Sequence, residues 1–213
     1  MSETVIDERN RVTAQRVIKA LESRHMEGYY AGSKDEALEK ALSLIPEGSV
    51  VGWGGSASLT EIGLKDAMRH GNYRALDVDA IEDPVERTQM EKQCFMADVY
   101  LMGTNAITED GQLVNLDGMG NRIAALSFGP ERVIVIAGMN KLVYGLDDAI
   151  SRVRHTVAPL NAFRFPGETP CRQFGVCGDC HKADCICSQL LITRGSMTAG
   201  RVKVILVGES LGY

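Results

Sequence analysis

The sequence predicts an α/β fold in three layers, a mostly parallel sheet with helices on both faces. Two observations carry the prediction. Short apolar runs suited to buried strands alternate with longer amphipathic runs of helical period, and turn-forming residues fall at each change. The length of 213 residues then gives room for one substantial core, so the expectation is a single domain over residues 1–213 with a cysteine-rich insertion at 166–190.

The elements follow in order. Residues 8–25 carry Val12, Val17, Ile18 and Leu21 near the helical repeat, which predicts an amphipathic opening helix. HMEGYYAGS reads as a short strand and turn, and Lys34 to Leu44 as a second helix stopped by Pro46 and Gly48. GSVVGW is a strand, GGSAS a tight turn, and Leu59 opens a helix that runs to about Gly71. YRALDV is a strand, residues 83–96 a helix, and ADVYLMGTNAIT a buried strand running into a loop. Glu109, Asp110 and Gly111 make a hairpin turn into QLVNLD, because Asp-Gly tolerates positive backbone angles. The loop DGMGNR leads into RIAALSF, then the strand RVIVIAG and the helix GLDDAISRVRHTVAP.

Composition narrows the function. Hydrophobic residues make up 45% and charged residues 24%, the usage of a globular chain rather than a disordered or fibrous one. A net charge of -5 and a pI near 5.4 offer no basic footprint for nucleic acid, although a local cationic pocket for a small anion is compatible with them. The start, MSETVIDERNRVTAQRVIKAL, has no apolar signal core, and no apolar run reaches the roughly 18 residues of a membrane span. The expectation is a cytoplasmic protein, in which clustered cysteines point to metal or redox chemistry rather than disulfides.

Three loops fall where predicted strands end: GGSAS, NAITEDG with VNLDGMGNR, and GMNK at 138–141. Ligands of open α/β sheets bind at such ends. Asn105, Thr108, Asp110, Asn115, Asp117, Asn121, Arg122 and Lys141, interleaved with Gly118 and Gly120, supply amide, carboxylate and cationic groups for a polyol, phosphate or carboxylate. Asn and Asp also bond their own turns, and single Arg or Lys residues are commonly solvated. GGSAS is likewise open between an anion-binding turn and a cramped strand-to-helix connection. It matches neither the phosphate-loop nor the dinucleotide fingerprint, and there is no NAD or flavin motif.

The segment CRQFGVCGDCHKADCIC has the spacing C-x5-C-x2-C-x4-C-x-C, from Cys171 through Cys177, Cys180 and Cys185 to Cys187. Two residues between Cys177 and Cys180 let both sulfurs reach one metal, and four thiolates suit zinc or an iron–sulfur cluster. Five leave one spare, and thiol/disulfide chemistry is the alternative. Cys94, alone in an apolar segment, reads as core.

NAITEDGQLVNLDGMGNRIAAL, VIVIAGMNKLV, APLNAFRFPGETPC and RVKVILVGESLGY together resemble the LUD family, which is associated with lactate utilisation. The resemblance spans nearly the whole chain, and TEDG followed by VNLDGMGNR is its most specific part. It implies a fold similar to the NagB/RpiA/CoA transferase superfamily, where a small Gly/Ser turn after the first strand binds phosphate. Gly54, Gly55, Ser56 and Ser58 would be the equivalent here. It also implies Cys171, Cys177, Cys180 and Cys187 as the metal set, with Cys185 extra and His181 a weaker substitute. Oxidation of lactate or a related organic acid, beside iron–sulfur or oxidoreductase partners and with homo-oligomers compatible, is the function it suggests. A metal-binding redox or assembly subunit without catalysis is the alternative, and a sugar-phosphate isomerase or CoA transferase the weaker one. Since CoA transferases use a glutamate nucleophile, Glu61 is the candidate for that role, although a glutamate there also complements a helix dipole.

Overall fold

The computed structural model describes residues 4–213. Helix α1 (Val5–Ser23) opens on a reciprocal cap, in which the Thr4 hydroxyl accepts from the Asp7 amide and the Asp7 carboxylate accepts from the Thr4 amide. Its Ala14, Val17 and Leu21 face inward at helical spacing. Strand β1 (Glu27–Ala31), helix α2 (Lys34–Ser43) and strand β2 (Val50–Trp53) follow. Beyond β2 the expected single helix is two, α3 (Ala57–Glu61) and α4 (Leu64–His70). Gly63 separates them with a φ of 72°, a left-handed conformation that glycine adopts without steric cost.

Strand β3 (Arg74–Leu76), helix α5 (Pro84–Gln93) and strand β4 (Val99–Gly103) come next. Helix α5 starts where Asp83 caps it and Pro84 occupies its first turn. A hairpin of β5 (Ala106–Thr108) and β6 (Leu113–Asp117) leads to α6 (Asn121–Ser127), β7 (Arg132–Gly138) and the two-residue β8 (Leu142–Val143). Helix α7 (Leu146–Arg152) continues through a wider π-type turn at Val153–Val157 into α8 (Ala158–Ala162). The cysteine arm holds α9 (Pro170–Phe174), and β9 (Gln189–Thr193) and β10 (Val202–Val207) complete the order. Among the described residues no helix is long and apolar enough to cross a membrane.

Six strands form an entirely parallel sheet in the order β1-β10-β7-β4-β2-β3. The central strands β7 and β10 read as Val/Ile/Leu runs because both their faces are covered, as expected when helices lie on each side, while the edge strands β1 and β3 are only partly buried. Side chains alternate across β2: Trp53 meets Arg69 of α4, while Gly52 and Gly54 face Cys94 and Arg122 on the other side. The chain runs from β2 outward to β3 and then returns to β4 on the opposite flank of β2. This reversal opens a crevice at the carboxyl ends of β2 and β4.

The expected strand ADVYLMGTNAIT ends at Gly103, and Ala106–Thr108 belongs to a second sheet, β8-β5-β6-β9. Thr104 turns the chain between them, its hydroxyl donating to the Ala106 carbonyl at 2.9 Å. One face of this sheet, with Ile107 and Leu113, joins the main core. The other, with Ala106 and Val114, packs under Ala149 and Val153. Cys94 is buried in the main core, and burial pushes its thiol up to about 11.

Candidate functional site

A cavity of about 650 Å³ lies at the carboxyl ends of the parallel strands. The loop after β2 contributes Gly55, Ser56, Ala57 and Ser58, the turn after β4 contributes Gly103, Thr104 and Asn105, and the turn after β7 contributes Lys141. Asp117, Gly118, Asn121 and Arg122 close it from β6 and α6. The three loops that the sequence placed at strand ends thus meet around one space.

Lys141 is 4% exposed, and its ammonium donates to the Ser58 hydroxyl at 2.8 Å. A second buried lysine provides the contrast. Lys65 has the Asp79 carboxylate 2.7 Å away, whereas among the described residues no carboxylate lies within ion-pair distance of Lys141. Burial, with the nearby guanidinium groups of Arg152 and Arg122, lowers Lys141 to about 8, against an opposing contribution from Glu61. Burial also lowers Arg152 from the usual arginine value. Around Lys141 the fold therefore gathers cationic groups at a buried position, while Asp79, Glu91, Asp117 and Asp184 line the cavity elsewhere.

Arg122 is held in place rather than solvated. Its guanidinium donates to the Leu116 carbonyl at 2.7 Å and lies 3.2 Å from Asp117. One carboxylate oxygen of Asp117 accepts from the Gly120 amide at 3.3 Å, and the other is buried without a hydrogen bond. Gly54 does not line the cavity but makes room for this group. A β-carbon on Gly54 would come 2.5 Å from Arg122 Cγ and 2.7 Å from the Tyr100 hydroxyl. Gly54→Ala is therefore expected to displace Arg122 and to cost about 1–3 kcal/mol, as overpacked sites do. Urea unfolding measures this, and an unchanged midpoint with unchanged anion affinity would mean the two side chains yield freely.

Other residues singled out from the sequence lie away from the cavity lining. Thr108 and Asp110 bond each other within the hairpin turn, and Asp110 pairs at 2.6 Å with Arg24, the residue that caps the C-terminal end of α1. Asn115 is fully buried and accepts from the Asn105 amide at 3.3 Å, while Asn105 accepts from the Leu116 amide at 2.9 Å. These amides brace β5 against β6. Gly120, with a φ of 88°, precedes α6 and packs against Gln189. Glu61 stands outside the lining, its carboxylate accepting from the Gly212 amide at 3.1 and 3.2 Å.

The cavity also has walls that periodicity did not reveal. Asp79 reaches it from a turn after β3, and Arg87 and Glu91 from α5. Burial works against the Asp79 carboxylate, but hydrogen bonds from Lys65 and Trp53 outweigh it and hold the group below its usual range. Asn161, Arg164 and Phe165 belong to APLNAFRFPGETPC, and Gly212 and Tyr213 to the closing VGESLGY. Both stretches carried the family resemblance, and that was the only signal available for them.

A second hollow, of about 530 Å³, is lined by all five arm cysteines together with His181, Arg154 and Leu190. The Cys185 and Cys187 sulfurs lie 3.0 Å apart. Burial, the bond with Cys185 and the neighbouring thiols push Cys187 up to about 12. An ion pair between Arg154 and Asp179 ties the arm to the helix behind it. The soft donor set matches zinc or iron–sulfur chemistry. Among the described residues, however, no group of three His, Cys, Asp or Glu side chains is drawn together tightly enough for a metal ion. Leu116, Cys185, Ile186 and Ser188 line both this hollow and the polar cavity.

Fold and site define an α/β protein with a polar cavity at the strand ends. The profile of the LUD domain matches residues 14–207, and the chain belongs to the LUD domain family. A DUF162 family protein from Deinococcus radiodurans, of the same family, is similar at 14% identity with a TM-score of 0.56, covering 93% of this chain and 98% of that one. Ribose 5 phosphate isomerase A from Neisseria gonorrhoeae aligns at 18% identity and a TM-score of 0.35, over 63% of this chain and 66% of that one. The delta subunit of eIF2B from Chaetomium thermophilum aligns at 19% and 0.34, over 52% and 48%. No curated protein matches the sequence.

Proposed function

We propose that this LUD protein takes part in the oxidation of lactate or a related small organic acid. It holds the carboxylate of that acid, or of its oxidised product, in the polar cavity and works beside an iron–sulfur or other oxidoreductase partner. The observation that carries the reading is Lys141, a buried ammonium whose one hydrogen-bond partner among the described residues is a hydroxyl, facing a cavity that Arg122 also lines. An anion beside Lys141 supplies the counter-charge that the fold gives Arg122, through Asp117, but does not give Lys141. Asn105 and Asn121 are within the same lining to bond a hydroxyl or keto oxygen.

Calorimetric titration with lactate, pyruvate and inorganic phosphate tests this. The expected result is binding of an organic acid with a dissociation constant of about 1 mM or tighter, weakened about tenfold or more in Arg122→Gln. Binding of phosphate alone would transfer the site to phosphorylated substrates, and no binding by any of the three would end the reading.

A second reading is favoured by the thiol-lined hollow: a metal-bearing redox or assembly subunit that itself catalyses nothing. Cys171, Cys177, Cys180 and Cys187 would hold zinc or an iron–sulfur cluster, with Cys185 in reserve, and such a centre would supply either a structural staple or an electron relay.

A further inference from the structure

We infer that Ser58 and Lys141 form a nucleophile and base pair that accepts the acyl group of a small activated acid, an ester or thioester carrying a free carboxylate. The inference rests on the polar cavity being an anion site and names a reaction for it. Ser58 Oγ and Lys141 Nζ are 2.8 Å apart, within the reach required of a nucleophile and its base. Both line the cavity.

A lysine kept only for structure would be expected to have a carboxylate partner, as Lys65 does with Asp79. Lys141 has a serine instead. Ser56, two residues earlier, is already committed, because its hydroxyl caps α3 by accepting from the Leu59 amide. Among the described residues no backbone amide donates to the Ser58 hydroxyl. Glycines keep the surroundings open: a β-carbon on Gly212 would sit 3.1 Å from Ser58 Oγ and 3.5 Å from Lys141 Nζ, and one on Gly103 would sit 3.6 Å from Ser58 Oγ. The charged groups facing Lys141 are Arg152 from α7, Arg122 from α6 and Glu61 from α3. The two guanidinium groups favour the neutral amine that a base must offer, and Glu61 opposes them.

The step balances without an oxidant. Neutral Lys141 takes the Ser58 hydroxyl proton as Oγ bonds to the acyl carbon. The bond from that carbon to the alkoxide or thiolate breaks, and the Lys141 ammonium returns the proton to the departing group. Water then attacks the acyl-serine, Lys141 takes and returns a proton in the same way, and the free acid leaves with Ser58 restored.

Diisopropyl fluorophosphate tests the pair, since phosphorylation of a serine forms a phosphorus–oxygen bond, breaks the phosphorus–fluorine bond and shifts the protein mass. The expected result is one adduct, mapped to Ser58, whose rate rises with pH and levels off above about 8. Ser58→Ala should not react at this position. Lys141→Met should slow labelling about a hundredfold or more, the usual worth of a general base. In Lys141→Met, a urea midpoint at or above that of the wild-type protein separates a lost base from a lost fold. An unlabelled Ser58 in the wild-type protein, or a Lys141→Met labelling rate equal to that of the wild type, overturns the pair. If pyruvate still binds, the anion site survives that result; if pyruvate does not bind either, both readings fall.

Discussion

Lys141→Met is expected to make the protein more stable near neutral pH while weakening anion binding. Lys141 falls from its ordinary 10.5 to about 8 on folding, chiefly by burial. Below about 8 the group is charged in both the folded and unfolded states, and the folded state bears the full cost of desolvating it. Between about 8 and 10.5 the folded protein has released the proton while the unfolded chain still binds it, so stability rises with pH across that window. At about 1.4 kcal/mol per pH unit the gain is of the order of 3 kcal/mol. Methionine keeps most of the volume and none of the charge, so Lys141→Met should be more stable at pH 7 by up to that amount, without the rise. Urea unfolding at several pH values from 7 to 10 measures both, and parallel curves for the two proteins would contradict the assignment. Anion affinity runs the opposite way. It should fall in the wild-type protein as pH passes about 8, and in Lys141→Met be about tenfold to a hundredfold weaker at pH 7.

The second large effect concerns the cysteine arm. Protein purified without oxygen is expected to contain bound metal, and Cys177→Ser combined with Cys180→Ser to lose it. Iron with acid-labile sulfide and broad visible absorption would identify an electron-carrying centre, and zinc alone a structural one. The arm cysteines lie outside both hydrophobic cores, so the double variant should unfold in urea within about 0.5 kcal/mol of the metal-free parent. Metal-free wild-type protein, with all five thiols titrating freely, would remove the metal-bearing reading.

Much of the fold was legible because it depends on local pattern. Buried parallel strands show as Val/Ile/Leu runs, Pro84 and Asp83 mark the start of α5, and the small residues after Trp53 mark the strand end at the crevice. The second sheet was not, because β8 has two residues and β6 pairs with β9 across some 75 positions of chain. For the site, the sequence showed which side chains stand near glycines but not which way they face. Asp117 and Lys141 turn into the cavity, whereas Asn115, two residues before Asp117, and Thr108 turn into their own hairpin. Arg164, Phe165 and Tyr213 come from segments brought together only by tertiary packing, for which periodicity has no signal.

Cys185 borders both hollows, and Ile186 touches the cavity loop so closely that a β-carbon on Gly118 would lie 3.3 Å from its backbone. Occupants of the two spaces are thus near neighbours, divided by one layer of chain. A chromophoric metal such as cobalt, seated among the thiols, would act as an optical witness to whatever enters next door.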